Sequence, residues 1–263
     1  MQENNKFKLV SSKRTRYLLP NILTIGGVCL GISSIKFSIE GNYSLAVTLI
    51  LFAAILDALD GRIARLIKGT SDFGKELDSL TDFVSFGIAP VFLLYFWELN
   101  QYGKLGWAIT LIYSVCCVLR LARFNLTKLD ESQKWKNNFF EGIPSPAGGL
   151  LILMPLIYEL ANLNLSLDIK NSAPYLIMIV AILLVSKIPT FALKKISISS
   201  KATVFLLLTI GVIFISLLFY TLETLLVFGL AYLVSIPVSI ITYNHLSKKN
   251  LKKISEEDHE DVL

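Results

Sequence analysis

Long apolar stretches separated by short polar breaks run through almost the whole chain, at roughly 18–39, 44–67, 77–98, 105–123, 146–163, 173–189, 202–220 and 223–243. A bilayer hydrocarbon core of about 30 Å is crossed by about 20 helical residues, and each stretch falls in or near that length. The stretches are continuous rather than alternating, and longer than ordinary strands, so they predict helices. The sixth is the shortest and is bounded by Pro174 and Pro189. The pattern predicts an all-α, polytopic transmembrane bundle of about eight helices. A basic segment (1–17) precedes the bundle (18–243), and a charged tail (244–263), expected to be solvated and partly disordered, comes after it. The first stretch has a basic flank like a signal peptide, but it lacks a clean small-residue cleavage site, and it reads as a true helix.

Composition agrees: 54% of the 263 residues are hydrophobic and only 17% charged, with mean hydropathy +0.61. That balance fits neither a soluble enzyme nor a disordered chain. A net charge of +5 would ordinarily suggest an acidic partner such as nucleic acid. The placement of the charges removes that reading. With the connections assigned alternately to the two sides of the membrane, 22 of the 25 lysines and arginines fall on the side of the termini, and only Lys36, Lys104 and Lys170 fall opposite. This asymmetry predicts that both termini are cytoplasmic. Cys29, Cys116 and Cys117 lie inside predicted helices, and His245 and His259 lie at or beyond the end of the last one. They form neither a disulfide framework nor a zinc spacing. A metal, if bound, must be held by oxygen.

Carboxylates within membrane segments are costly and mark function. Asp57 and Asp60 lie near the cytoplasmic end of the second helix, and Asp78 and Asp82 at the start of the third. At about 100° per residue, Asp57, Asp60, Gly61, Ala64 and Arg65 share one face, as do Asp78, Asp82, Ser85 and Ala89. A loop of about ten residues makes these helices antiparallel neighbours, so the four carboxylates can converge. A hard divalent cation is their natural neutraliser, and Mg²⁺ prefers a few carboxylates plus substrate phosphate. Gly61 and Ala64 leave room for a bulky group, and Arg65 offers a planar phosphate clamp. Gly27 and Gly31 in the first helix read as close-packing positions.

The arrangement D-x2-D-G-x2-A-R-x8-G-x3-D-x3-D, formed by Asp57, Asp60, Gly61, Ala64, Arg65, Gly74, Asp78 and Asp82, resembles the CDP-alcohol phosphotransferase signature at every fixed position. Pro20-Asn21-Ile22-Leu23-Thr24 resembles an element of that family's first helix. The resemblance implies a six-helix core and a site holding two ions, Mg²⁺ or Mn²⁺, at the cytoplasmic surface. It implies Asp57, Asp60, Asp78 and Asp82 as metal ligands, with Asp82 also the base that deprotonates the attacking alcohol. Gly61, Ala64, Arg65, Ser71 and Gly74, with Asn21 and Thr24, would bind the CDP-lipid.

Two further stretches bear on the acceptor. Arg120-Leu121-Ala122-Arg123-Phe124-Asn125, together with Phe140-Glu141-Gly142-Ile143-Pro144-Ser145-Pro146-Ala147, is similar to the integral-membrane phosphatidylserine synthases of the family. That likeness implies CDP-diacylglycerol and L-serine as substrates, with Arg120, Arg123 and Ser145 near the acceptor; a guanidinium is a good bidentate partner for serine's carboxylate. Glycerol 3-phosphate or inositol remain alternative acceptors, and an ion-coupled transporter is a remoter reading that one-sided carboxylates and the lack of a repeat disfavour. The expected setting is a bacterial-type inner membrane, with lipid as surroundings, no nucleic-acid partner and room for a homodimer.

Overall fold

The computed structural model describes residues 13–67, 69, 71–126, 139–163, 169–191 and 200–260. Most of the expected N-terminal segment and several of the counted lysines therefore lie outside the described residues. The chain forms two compact units, Met1–Leu121 and Ala122–Leu263.

The first unit is built from α1 (Lys13–Ile39), α2 (Tyr43–Leu66), a third long helix and most of α5 (Lys104–Leu126). The third helix is composite: α3 (Asp72–Asp82), a π-helical turn (Phe83–Ile88) and α4 (Ala89–Trp97). It begins five residues earlier than its apolar stretch suggests. Ser71 caps it, its side chain accepting from the Gly74 amide at 3.0 Å, which starts the helix within a polar sequence that hydropathy alone passes over. The α2–α3 connection is correspondingly shorter than the ten residues expected.

Pro90 explains the interruption. An α-helix would pair the Phe86 carbonyl with the amide of residue 90, and proline has none. The helix widens instead, and the Ala89 amide reaches back five residues to the Val84 carbonyl. The expected stripe joining Asp82 to Ser85 and Ala89 is thereby broken. Ser85 is instead grouped with Thr81 against α1, where its hydroxyl donates to the Gly27 carbonyl at 3.1 Å. Gly27 and Gly31 are the close-packing positions expected of them: a Cβ on Gly27 would meet Thr81 Cγ2 at 3.1 Å, and one on Gly31 would meet the Ser85 Cα at 3.1 Å. On its other side α1 packs along α2, with the Ser34 hydroxyl donating to the Ala46 carbonyl at 2.9 Å.

The second unit holds α6 (Ser145–Ile152), α7 (Met154–Leu160), α8 (Ala173–Val185), α9 (Ser200–Phe219) and α10 (Thr221–Glu260). The fifth predicted helix is thus broken at Leu153, ahead of Pro155. The sixth ends at Val185, short of Pro189, and the chain continues into a strand. β1 (Phe139–Glu141) and β2 (Pro189–Phe191) pair antiparallel, with Phe140 opposite Thr190. The last helix does not stop at 243 but runs to Glu260, so most of the expected disordered tail is helical.

The strand pair has a physical origin. The helical stretch Lys170–Val185 is only 16 residues, about 24 Å, shorter than the hydrocarbon core. Its final carbonyls must be satisfied by protein. The Ile143 amide takes Leu183 and the Gly142 amide takes Ile188. Arg123 donates through Nη1 to Val185 at 2.7 Å and through Nη2 to Ser186 at 3.0 Å and Leu184 at 3.3 Å. Gly142 has φ +76°, and a Cβ there would lie 2.8 Å from the Ser186 carbonyl, so the turn admits glycine alone.

Among the described residues, five helices are long and apolar enough to cross a membrane. Their exposed faces are rich in large apolar side chains, such as Ile32 and Phe52 on α1 and α2 and Val115 on α5. The protein is a multi-pass, helical membrane protein. Because the Gly31 contact is with backbone, Gly31→Ala should lower stability by about 1–3 kcal/mol. Gly27→Ala should cost less, since Thr81 Cγ2 can give way. Thermal unfolding of the two detergent-solubilised variants checks the order.

Candidate active site

The α1–α3 contact sets the direction of the aspartates. With Thr81 and Ser85 turned to α1, Asp78 and Asp82 face α2. One carboxylate oxygen from each of Asp57, Asp60 and Asp78 lies within 4.8 Å of the others. Asp57 is also within hydrogen-bonding reach of both Asp78 and Asp82. The four predicted carboxylates are thus brought together. Asp60 is buried, and its Oδ2 accepts a 2.6 Å hydrogen bond from the buried Thr24 hydroxyl.

Like charges at this spacing in a medium of low polarity repel strongly. The ion pairs Lys36–Glu40, Lys75–Asp72 and Lys170–Glu159 do not include Asp57, Asp60 or Asp78. A set of oxygen-only, anionic donors within 4.8 Å, with no such cation pairing, fits a hard divalent ion. Asp57, Asp60 and Asp78 form the core of that donor set, and Asp82 adjoins it through Asp57.

The predicted CDP-lipid residues fall into two groups. Asn21, Ser71 and Gly74 cluster where α1 meets the start of α3: a Cβ on Gly74 would be 3.1 Å from Ser71 Oγ and 3.3 Å from Asn21 Oδ1, so the glycine is what allows the approach. Gly61 and Arg65 are exposed on α2, with half-buried Ala64 between them. Nothing lies within 4 Å of a Cβ on Gly61, which leaves that face open to a ligand. Arg65 folds back so that Nε donates to the Gly61 carbonyl at 2.9 Å, holding its guanidinium along the same face. Thr24 touches a carboxylate rather than this open face, and so orients Asp60.

The two arginines expected at the acceptor differ in their surroundings. Arg120 is buried, 8% exposed. It belongs to the unit that holds the aspartates, and the Cys117 thiol one turn away stands in the fields of both Arg120 and Asp82. Arg123 is committed to the carbonyls at the end of α8 and reaches the Glu141 carbonyl at 3.5 Å. Ser145 is fully buried in the first turn of α6, in the second unit.

Sequence reasoning missed Thr81, which completes the α1 contact, and the hydroxyls on α5 that face the π turn. Tyr113 donates to the Phe86 carbonyl at 3.0 Å and Ser114 to the Gly87 carbonyl at 3.3 Å. Pro90 was the available signal, since a proline inside a helix leaves a carbonyl in need of a donor.

Comparison with known proteins agrees with this geometry. The family model described as CDP-alcohol phosphatidyltransferase matches residues 17–241. A Helicobacter pylori protein named CDP-diacylglycerol–serine O-phosphatidyltransferase is 33% identical over 218 residues, covering 83% of this chain and 89% of that protein. A Mycobacterium tuberculosis protein of the same name is 43% identical over 137 residues, covering 52% of this chain and 48% of its own length. One from Bacillus subtilis is 36% identical over 142 residues, covering 54% and 77%. The chain spans about half the length of the mycobacterial relatives it matches. With the acidic signature assembled on α2 and α3 and the match extending from α1 into α10, the chain belongs to the CDP-alcohol phosphatidyltransferase family.

Proposed function

We propose that the protein transfers the phosphatidyl group of CDP-diacylglycerol to the hydroxyl of L-serine, giving phosphatidylserine and CMP. The observation that carries this reading is the convergence of Asp57, Asp60 and Asp78 within 4.8 Å, beside an open glycine face and an arginine on α2. The names of the relatives from three bacterial genera support the choice of serine. The charge asymmetry supports a site and both termini on the cytoplasmic side of a bacterial-type inner membrane.

Two divalent ions, Mg²⁺ or Mn²⁺, held by Asp57, Asp60, Asp78 and Asp82 would neutralise the diphosphate and the charge developing on the departing phosphate. The remaining steps belong to the chain. Asn21, Ser71 and Gly74 receive the cytidine end of the lipid, while Gly61, Ala64 and Arg65 line the diphosphate, with the acyl chains left among lipid. Arg120 binds the serine carboxylate. Asp82 takes the hydroxyl proton, the serine oxygen forms a bond to the phosphorus that carries diacylglycerol, and the bond from that phosphorus to the CMP oxygen breaks, CMP keeping the electron pair.

Purified protein given CDP-diacylglycerol, Mn²⁺ and labelled serine should form labelled phosphatidylserine with equimolar CMP. Product from glycerol 3-phosphate but none from serine would overturn the acceptor assignment. Asp57→Asn should weaken Mn²⁺ binding, measured by electron paramagnetic resonance, by about 10-fold or more. Asp82→Asn should keep CDP-lipid binding and lose turnover by at least about 100-fold. Arg120→Gln should raise the KM for serine by about 10-fold or more, the loss expected for a charged hydrogen bond, with the KM for CDP-diacylglycerol within about twofold.

A further inference from the structure

The π turn comes directly after Asp82, and two of its carbonyls are served from α5. Pro90 removes the donor for the Phe86 carbonyl, which is buried, and an unpaired buried carbonyl is destabilising. Tyr113, itself fully buried, supplies the missing hydrogen bond at 3.0 Å. Ser114 adds one to the Gly87 carbonyl at 3.3 Å. The same stretch of α5 closes over the turn sterically: a Cβ on Gly87 would lie 2.9 Å from Cys117 Sγ and 2.8 Å from the Phe83 ring. On the opposite side, Ser85 donates to the Gly27 carbonyl of α1. The turn is therefore held on one side by hydroxyls of α5 and on the other by its own Ser85 hydroxyl bonded to α1.

A π turn accommodates one residue more than an α turn, so its presence or absence rotates the upstream part of the helix against the downstream part by about 100°. Residues downstream are fixed by burial, with Ala89, Val91, Leu93 and Leu94 all inaccessible to solvent. Thr81 and Ser85 hold the upstream part to α1, so a change in the turn is felt between these anchors, at Asp82. We propose that Tyr113, with Ser114, is a positioning residue for the reaction: by bonding the carbonyls of the π turn that Pro90 opens, it steadies Asp82 in the direction toward Asp57 that the α1 contact sets. The inference rests on the reading of Asp82 as proton acceptor and neighbour of the metal ligands. Neither α5 hydroxyl touches substrate; each acts through the backbone of the third helix.

The test uses the full chain in lipid nanodiscs, with Mn²⁺ binding measured by electron paramagnetic resonance without substrates and CMP release measured separately. Tyr113→Phe removes one oxygen and keeps the ring. It should weaken Mn²⁺ binding and lower kcat, each by about 10-fold, as loss of an outer-shell partner does. The KM values for serine and CDP-diacylglycerol should stay within about twofold, because the substrate contacts are intact. A variant that loses thermal stability while Mn²⁺ affinity and kcat stay as in the parent protein would reduce Tyr113 to packing and overturn the proposal. Should Tyr113→Phe not yield folded protein, Gly87→Ala decides. Its methyl group would press on both the Phe83 ring and Cys117, so it should show the same joint loss. Parent-like Mn²⁺ affinity and kcat in Gly87→Ala overturn the proposal. A parent protein that neither binds Mn²⁺ nor releases CMP with any acceptor removes the functional reading itself, and this inference with it. Activity with a different acceptor leaves it standing, measured on that acceptor.

Discussion

The first unit is organised around keeping like charges together. Aspartates of α2 and α3 facing one another repel, and the repulsion grows as the surroundings become less polar. The helices cannot relieve it by rotating. Gly27 and Gly31 bring α1 against Thr81 and Ser85, which fixes the azimuth of α3. Thr24 reaches from α1 to Asp60. Asp78 and Asp82 are directed by contacts on the opposite side of α3, and Asp60 by a hydroxyl on its own carboxylate.

The third helix shows how a local irregularity serves that arrangement. A proline in mid-span is tolerated in membrane helices because neighbours can satisfy the carbonyl it strands. Here the neighbour is Tyr113. The strand pair of the second unit meets a related problem by other means: α8 is too short for the bilayer, and its last carbonyls are met by Arg123 and the Ile143 amide, while the Gly142 amide takes the Ile188 carbonyl beyond it. In both places a neighbouring segment supplies donors that the helix lacks.

Much of this was legible in the sequence. Each of the eight apolar stretches corresponds to a described helix or a pair of helices, because length and continuity of hydropathy suffice to mark them. The aspartates, Gly61 and Arg65 were legible because charge inside an apolar run is rare. What escaped was whatever depends on a partner in space. Asp82 and Ser85 looked like one stripe because the arithmetic assumed an unbroken α-helix, and Pro90 breaks it. Arg120 and Arg123 looked equivalent at three-residue spacing; only the fold sends one to a buried place in the unit that holds the aspartates and the other to a helix end. The first turns of α3 were missed because they are polar, and the last turns of α10 because charge was taken for disorder.

The difference between the two arginines changes how mutational data on this protein should be interpreted. Arg123 is a tethered cation seated on the negative end of α8, and its planar fork spans carbonyls that a lysine ammonium could not span together. In a screen scored by activity alone, changes at 120 and 123 would be indistinguishable, and both would be credited to substrate recognition. Scored by abundance in the membrane as well, they separate: Arg123 belongs with Gly142 and Thr190, among the residues that hold the end of α8 and the strand pair that follows it.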